Sequence, residues 1–426
     1  DFAFAASTLR KDVTTNAIRF FTKALITFSL LFALGACSSE LASTSTAVQP
    51  QAPEQNVSTQ SLTEWLDEKY EKELQFSPIQ MTFLGRKERN DEIDELTYEA
   101  FAEQMNWKQA SAKEMQAQFD YANLSDDEKL SYDLWAFQAK QMVDSAEFFY
   151  NGLTFDQMNG IQSFVPTFLI NFHSVDTEAD MQAYISRIRA VGPRMQEALV
   201  NAQTSSNRGV ITPGFALDGV IEQTKAIITG QPFETTAGKD SDLWGDIKTE
   251  VTKLQEHNLI SAASAKTLLE DARSALLTQL QPAYNNIIDW AENEKDKAPE
   301  ISTGIGRQGN GAAYYKYRLG TQTTTELGAD EIHEIGLSEV KRLRSEMMAL
   351  IKQVKFDGDL AAFFNHVREA EWNYYPDTDE GRKAYIDDAT TAIENIKSKL
   401  PEIFGLTPKA DLLVKRVEAF RERDGA

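Results

Sequence analysis

Apolar residues recur at helical spacing through most of this chain, and polar residues with cap chemistry stand just ahead of them. Ser61 with Glu64 forms a capping box, followed by Leu62, Trp65, Leu66, Tyr70 and Leu74 on one helical face. Ser77 caps a short helix that opens on Pro78 and carries Met81 and Leu84. A second capping box, Ser125 with Glu128, starts a helix holding Leu130, Tyr132, Leu134, Trp135 and Phe137 and running to about Phe149. Gly152 to Phe172 is apolar but contains Pro166, Gly152 and Gly160, and reads as a loop. A helix resumes from Asp176 through Met181, Tyr184, Ile185 and Ile188, and others are predicted at 215–229, 242–257 and 262–292. Pro282 should kink the last of these or start a new helix, because proline lacks the N–H that an inner turn needs.

Alternation at period two is scarce. The best strand signal is Leu412 to Phe420, after Pro408, where β-branched residues appear. The pattern therefore predicts a mainly α protein of many helices, with at most a small β element near the C-terminal end. No repeat of fixed period is visible.

The first 60 residues follow a different pattern. Arg19 and Lys23 precede Ala24 to Ala33, an apolar run too short to span a bilayer as a mature helix. Leu34-Gly35-Ala36-Cys37 follows and resembles a bacterial lipobox, whose cysteine receives acyl chains. Residues 1–36 are thus expected to be a lipoprotein signal peptide, with Cys37, the chain's single cysteine, as the lipidation site. Each buried methylene contributes about 0.8 kcal/mol, so several acyl chains give stable membrane anchoring. Ser38 resembles the sorting signal that sends Gram-negative lipoproteins to the outer membrane, facing the periplasm. Residues 37–60 are rich in Ser, Thr, Pro and Gln, and a flexible coil of that length spans roughly 25 to 30 Å. The chain opens on Asp1 with no methionine before Met81, and the expected natural start is a non-AUG codon near Val13.

Charge narrows the function. Beyond residue 36 there are 39 basic and 63 acidic residues, a net charge of -24. Such a surface repels phosphate backbones, which argues against nucleic-acid binding. The hydrophobic share of 42% is ample for a folded core, so residues 61–426 are expected to form a helical domain rather than a disordered acidic chain. A lone cysteine leaves no intramolecular disulfide, and stability must come from burial.

Several motifs resemble catalytic signatures without completing them. Gly304-Ile305-Gly306-Arg307-Gln308-Gly309 has the spacing of a dinucleotide fingerprint, but it follows a helix-ending acidic stretch, and no βαβ pattern surrounds it. It reads as a flexible loop into Tyr314 and Tyr315. His333-Glu334 begins like the zinc motif H-E-x-x-H, but position 337 is Leu, so the second ligand is missing. His173, His257 and His366 lack partners at ligand spacing and read as surface or locally hydrogen-bonded residues. Asp377, Thr378, Asp379 and Glu380 form either a carboxylate site or, by cap chemistry, the start of a helix. Tyr374 and Tyr375 either line a cleft or pack at a helix-loop corner.

The stretch from Tyr314 to Ala426 resembles the bacterial domain-of-unknown-function 885 family, which is grouped with gluzincin-like metallopeptidases. The resemblance rests on Tyr314 to Leu319 with Thr323 to Thr325, Asp330 to Val340, Tyr374-Tyr375-Pro376 with Glu380 to Arg382, and Pro408 to Asp411 with Val414 to Glu418. Gly160 to Gln162 and Pro166 to Ile170 fit the same order. The resemblance implies a mostly helical zincin-like shell with a zinc motif of the H-E-x-x-P-G-H-H type on a central helix, positioned after the segment around Arg416. On that reading this chain is the N-terminal part of a zinc-metallopeptidase-like lipoprotein, truncated before its zinc ligands and inactive alone. No catalytic residue or metal ligand is carried over, and zinc is expected only for the complete protein. Val414, Arg416 and Glu418, on the expected edge strand, are candidates for substrate contact together with Tyr374 and Tyr375, and Arg416 suits a peptide carboxylate. The alternative is a non-enzymatic helical lipoprotein that binds peptides or envelope components.

Overall fold

The computed structural model describes residues 60–234, 238–299, 301–302 and 304–414. Cys37 and the expected signal peptide and tether, apart from Gln60, lie outside them, as do Arg416 and Glu418. Among the described residues the secondary structure is helical, with a single isolated bridge between Gln231 and Asp240 and no strand. Leu412, Leu413 and Val414 adopt no regular structure, and the rest of the expected β segment lies outside the described residues. No helix among the described residues is long and apolar enough to cross a membrane.

Side-chain caps set the helix starts. Ser61 and Glu64 form the capping box of α1 (Leu62–Leu74), and Ser77 caps α2 (Pro78–Phe83). Thr97 caps α3 (Tyr98–Gln118), a helix whose apolar residues form no clear stripe in the sequence. Ser125 and Glu128 cap α4 (Asp126–Ser145), which stops short of the expected Phe149 and passes into a 3-10 turn over Ala146–Asn151.

The expected loop at 152–172 is corrected by the structure. Its second half is a helix, α5 (Ile161–Phe172), with Pro166 inside it. Proline cannot donate to the carbonyl four residues back, which is that of Gln162. The Tyr284 hydroxyl donates to this carbonyl instead, at 2.7 Å, so a tertiary hydrogen bond satisfies the acceptor that proline leaves open.

Next come α6 (Glu178–Asn207), capped by Thr177 with Asp180, then α7 (Gly214–Ile227), α8 (Asp242–Glu256) and α9 (Ala262–Ala275). A π-helical turn over Leu276–Leu280 leads into α10 (Gln281–Glu294), which carries Pro282 in its first turn. The helical run expected at 262–292 is thus unbroken, and Pro282 is accommodated just after a π-helical turn instead of ending it.

Two apolar clusters hold these helices. The larger joins α5 to α10 through residues such as Phe168, Tyr184, Met195, Leu217, Ile247, Leu276 and Ile287. The smaller joins α1, α3 and α4 through Leu62, Trp65, Ala112, Met115, Trp135 and Ala139. Full burial of each large side chain contributes about 1.5–3 kcal/mol. At the smaller core, Lys108 is buried; its Nζ donates to Glu73 at 2.8 Å and lies 3.2 Å from the centre of the Trp135 ring.

α11 (Gly311–Thr323) packs Tyr314 on Phe148, with ring centres 5.5 Å apart. Beyond it, α12 (Ala329–Gln353) buries only Ile351, α13 (Leu360–Glu369) buries no residue, and α14 (Asp379–Lys397) buries only Gly381. Ile335, Val340, Leu343 and Ile396 are among the large apolar side chains these helices expose.

Candidate functional site

A cleft of about 1030 Å³ opens between the two apolar clusters. One wall is aromatic. Phe76, Phe101, Trp107 and Phe149 line it, with Phe76 and Trp107 centred 5.5 Å apart and Phe101 and Phe149 5.2 Å apart. The facing wall is α6, which contributes Arg194, Asn201 and Ser205. Between them runs the connection from α2 to α3, whose residues Arg89 and Glu92 to Thr97 line the cleft.

This connection has no internal ladder, so side chains hold it. Arg187 on α6, fully buried, donates Nε to the Glu92 carbonyl at 2.8 Å, Nη1 to Asn90 at 3.1 Å and Nη2 to Thr82 at 2.6 Å. Glu197 accepts the Leu96 N–H at 2.9 Å, and Asn201 donates to the Leu96 carbonyl at 2.6 Å. Asp94 accepts from the Ser77 hydroxyl at 2.5 Å and the Ile79 N–H at 2.9 Å, tying the connection to the start of α2. Burial raises the Asp94 pKa against the lowering effect of these bonds.

The ionic groups of the cleft are largely matched. Arg89 pairs with Glu92 at 2.6 Å, and this hydrogen bond holds the Glu92 carboxyl below the usual range. Arg194 pairs with Glu197 at 2.7 Å and with Glu95 at 3.7 Å, while its Nε, sealed from solvent, has no protein partner among the described residues. The cleft therefore combines apolar surface with a few fixed polar groups, the usual make-up of a site that binds a ligand.

His173 lies behind this wall, buried, with Nδ1 2.8 Å from Arg187 Nη1 and Nε2 2.9 Å from the Asp180 carbonyl. Burial pushes its pKa down to about 4, and burial also lowers Arg187 to about 10. Both ring nitrogens are engaged, which leaves neither for a metal. The remaining histidines are apart: His257 ends α8, while His333 and His366 are exposed on α12 and α13. Among the described residues no group of three or more His, Cys, Asp and Glu side chains is placed to hold a metal ion. These residues do not fit a zinc ion.

The residues singled out in the sequence lie elsewhere. Tyr374 and Tyr375 are exposed; the Tyr375 ring packs edge-on against Tyr385 with centres 5.4 Å apart, and its hydroxyl donates to Asp388 at 2.6 Å. Val414 is half-buried in an irregular segment, and none of these three lines the cleft. Thr378 caps α14 and Arg382 pairs with Asp377 at 2.5 Å, so the Asp377–Glu380 cluster forms a helix start. Gly304 to Gly309 contains a 3-10 turn over Ile305–Arg307 that precedes α11, in place of the strand-to-helix turn a dinucleotide requires. Reading the sequence missed Arg89, Glu92, Arg194 and Asn201. Their charge-rich surroundings look like solvated helix and loop, and only the long-range bonds to α6 bring them together.

A mainly α chain with this arrangement has recognisable relatives. It belongs to the family described as "Bacterial protein of unknown function (DUF885)", whose profile matches residues 78–426. Among solved structures it is similar to that of "the putative lipoprotein from Colwellia psychrerythraea", with a TM-score of 0.72 at 17% identity. The match covers 83% of this chain and 62% of the Colwellia chain, so this chain spans less than two thirds of that protein. No curated protein matches its sequence.

Proposed function

We propose that this chain is the helical, peptide-binding part of a lipoprotein held by acyl chains on Cys37 at the outer membrane and facing the periplasm. The observation that carries the reading is the cleft of about 1030 Å³, walled by Phe76, Phe101, Trp107 and Phe149 and floored by non-helical backbone. Its volume stands at the upper end of the range of about 300–1,000 Å³ for ligand pockets, and its non-helical main chain suits a polymer that carries its own amides. The lipobox-like segment and the lipoprotein description of the Colwellia neighbour support the anchor.

The test is titration of the full chain, carrying Cys37→Ser to keep it unlipidated, with mixed-sequence peptides while following Trp107 fluorescence. A saturable change that disappears in Trp107→Phe supports the reading. An unchanged signal at about 1 mM peptide contradicts it.

A second reading is that the complete polypeptide hydrolyses the held peptide at a zinc site. It is supported by the family resemblance, by the 62% share of the Colwellia chain matched here, and by the uncovered apolar faces of α12 to α14, surfaces of a kind that marks interaction sites. No described residue supplies a ligand for that zinc, and none is assigned a step. Val414, Arg416, Glu418, Tyr374 and Tyr375 would contact substrate in that reading. Peptidase activity of the complete protein, abolished by a chelator and restored by zinc, tests it.

A further inference from the structure

The backbone between α2 and α3 has an unusual property for a protein whose described residues hold no strand. From Glu92 to Leu96 it forms no helix, turn or bend, which leaves it free to run as an extended segment. In an extended segment the N–H and C=O of one residue point to one edge, and those of the next residue to the other.

The bonds already described occupy one edge only. Arg187 binds the Glu92 carbonyl, and Glu197 and Asn201 bind both main-chain groups of Leu96. All three side chains belong to α6, so the main-chain groups of Glu92 and Leu96 face that helix, and alternation puts those of Asp94 on the same edge. The edge of Ile93 and Glu95 faces away from it. Among the described residues the main-chain groups of Ile93, Asp94 and Glu95 make no hydrogen bond, all three residues line the cleft, and Ile93 is 7% exposed with its side chain in the larger apolar cluster. The alternation of an extended segment places the four main-chain groups of Ile93 and Glu95 on the edge away from α6, as an unpaired sheet edge offers its groups to an added strand.

We propose that Glu92–Leu96 is a template for strand addition, and that an extended peptide pairs its main chain with Ile93 and Glu95. This rests on the reading of the cleft as a peptide site and names how the peptide is held. The ligand class is an unfolded or extended polypeptide segment. A helical ligand is excluded, because its own amides are already paired. Side chains of the peptide alternate between the two faces of the new pair. One set therefore meets the aromatic wall of Phe76, Phe101, Trp107 and Phe149, and apolar residues at every second position suit it. Main-chain pairing provides binding that does not depend on sequence, and the aromatic wall adds a preference for alternate apolar residues. The match of Arg89 with Glu92 and of Arg194 with Glu95 and Glu197 leaves little local charge to select a charged ligand.

Two N-methylated peptides test the template. The parent probe is acetyl-Lys-Thr-Val-Thr-Phe-Thr-Val-Thr-Lys-amide, titrated into the full chain carrying Cys37→Ser. One analogue carries N-methyl groups on alternate residues, and the second carries them on the remaining residues. Pairing along one edge predicts that one analogue binds at least about tenfold more weakly while the other stays within about twofold of the parent. Binding of both within about twofold overturns strand addition and leaves the peptide cleft standing. Equal weakening of both also overturns pairing along a single edge. Absence of binding by the parent at about 1 mM overturns the template and the peptide cleft together.

Discussion

Arg187 Nη1 lies 2.8 Å from His173 Nδ1, deep behind the cleft, and an arginine nitrogen can only donate. His173 Nδ1 must therefore accept, which places the ring proton on Nε2, directed at the Asp180 carbonyl 2.9 Å away. The contact requires a neutral imidazole beside a buried cation. It also links the two ends of the support for the cleft, because the same guanidinium holds the Glu92 carbonyl.

The first prediction concerns acid. The folded His173 titrates at about 4 against 6.5 for the free side chain, so between these values the unfolded chain binds the extra proton. Its contribution to stability is complete above pH about 6.5 and is lost as pH falls to about 4, by up to about 3 kcal/mol. His173→Gln keeps an acceptor for Arg187 and does not titrate. Urea unfolding from pH 7.5 to 4.5 should show a smaller acid loss in this variant than in the parent, and equal losses would refute the assignment.

Asp246 has the opposite sign in an overlapping window. Its carboxylate accepts from the Tyr184 hydroxyl at 2.8 Å, and burial raises its pKa from 3.8 to about 6. The folded state then holds a proton that the unfolded chain releases. The associated stability is full below pH about 3.8 and is lost as pH rises through about 6. Asp246→Asn retains an acceptor without the buried charge, so its stability relative to the parent should rise between pH 4 and pH 7. A difference that does not vary with pH contradicts this.

At the smaller core, the buried Lys108 depends on its acceptors. Glu73→Ala removes the carboxylate at 2.8 Å and leaves a cation with the Gln138 oxygen at 3.2 Å and the Trp135 ring. This should cost about 2–4 kcal/mol. Lys108→Met keeps the packing, and Glu73, partly open to solvent, can rehydrate, so the cost should be smaller. Chemical denaturation of both variants orders them.

Asn201→Ala leaves the Leu96 carbonyl without the bond it receives at 2.6 Å. The expected cost is about 1–2 kcal/mol, with weaker peptide binding because the extended segment loses one of its ties to α6. Unfolding and titration of the probe peptide measure the two effects separately.

Much of the helical order is legible in the sequence because it is local chemistry. Ser61 with Glu64 and Ser125 with Glu128 are read within four residues, and the structure shows both boxes formed. Pro282 likewise marks a local change, a π-helical turn placed just before it in a continuous helical run. What escapes is long-range. Pro166 reads as a helix breaker until Tyr284, far along the chain, takes over the orphaned carbonyl of Gln162. The stretch from Arg86 to Leu96 carries no motif or helical period in the sequence, and only Arg187, Glu197 and Asn201 on α6 shape it into the floor of a cleft. The tyrosines Tyr374 and Tyr375 attract notice by type, but their exposure away from the cleft is a tertiary fact.

Amide hydrogen exchange on the full chain, with and without the probe peptide, tests the central claim most directly. The account predicts slowed exchange at the Ile93 and Glu95 amides, with the Asp94 amide unchanged, since the alternation of an extended segment places it on the opposite edge. Uniform slowing across residues 92–96, or no slowing at Ile93 and Glu95 while the peptide is bound, would contradict it.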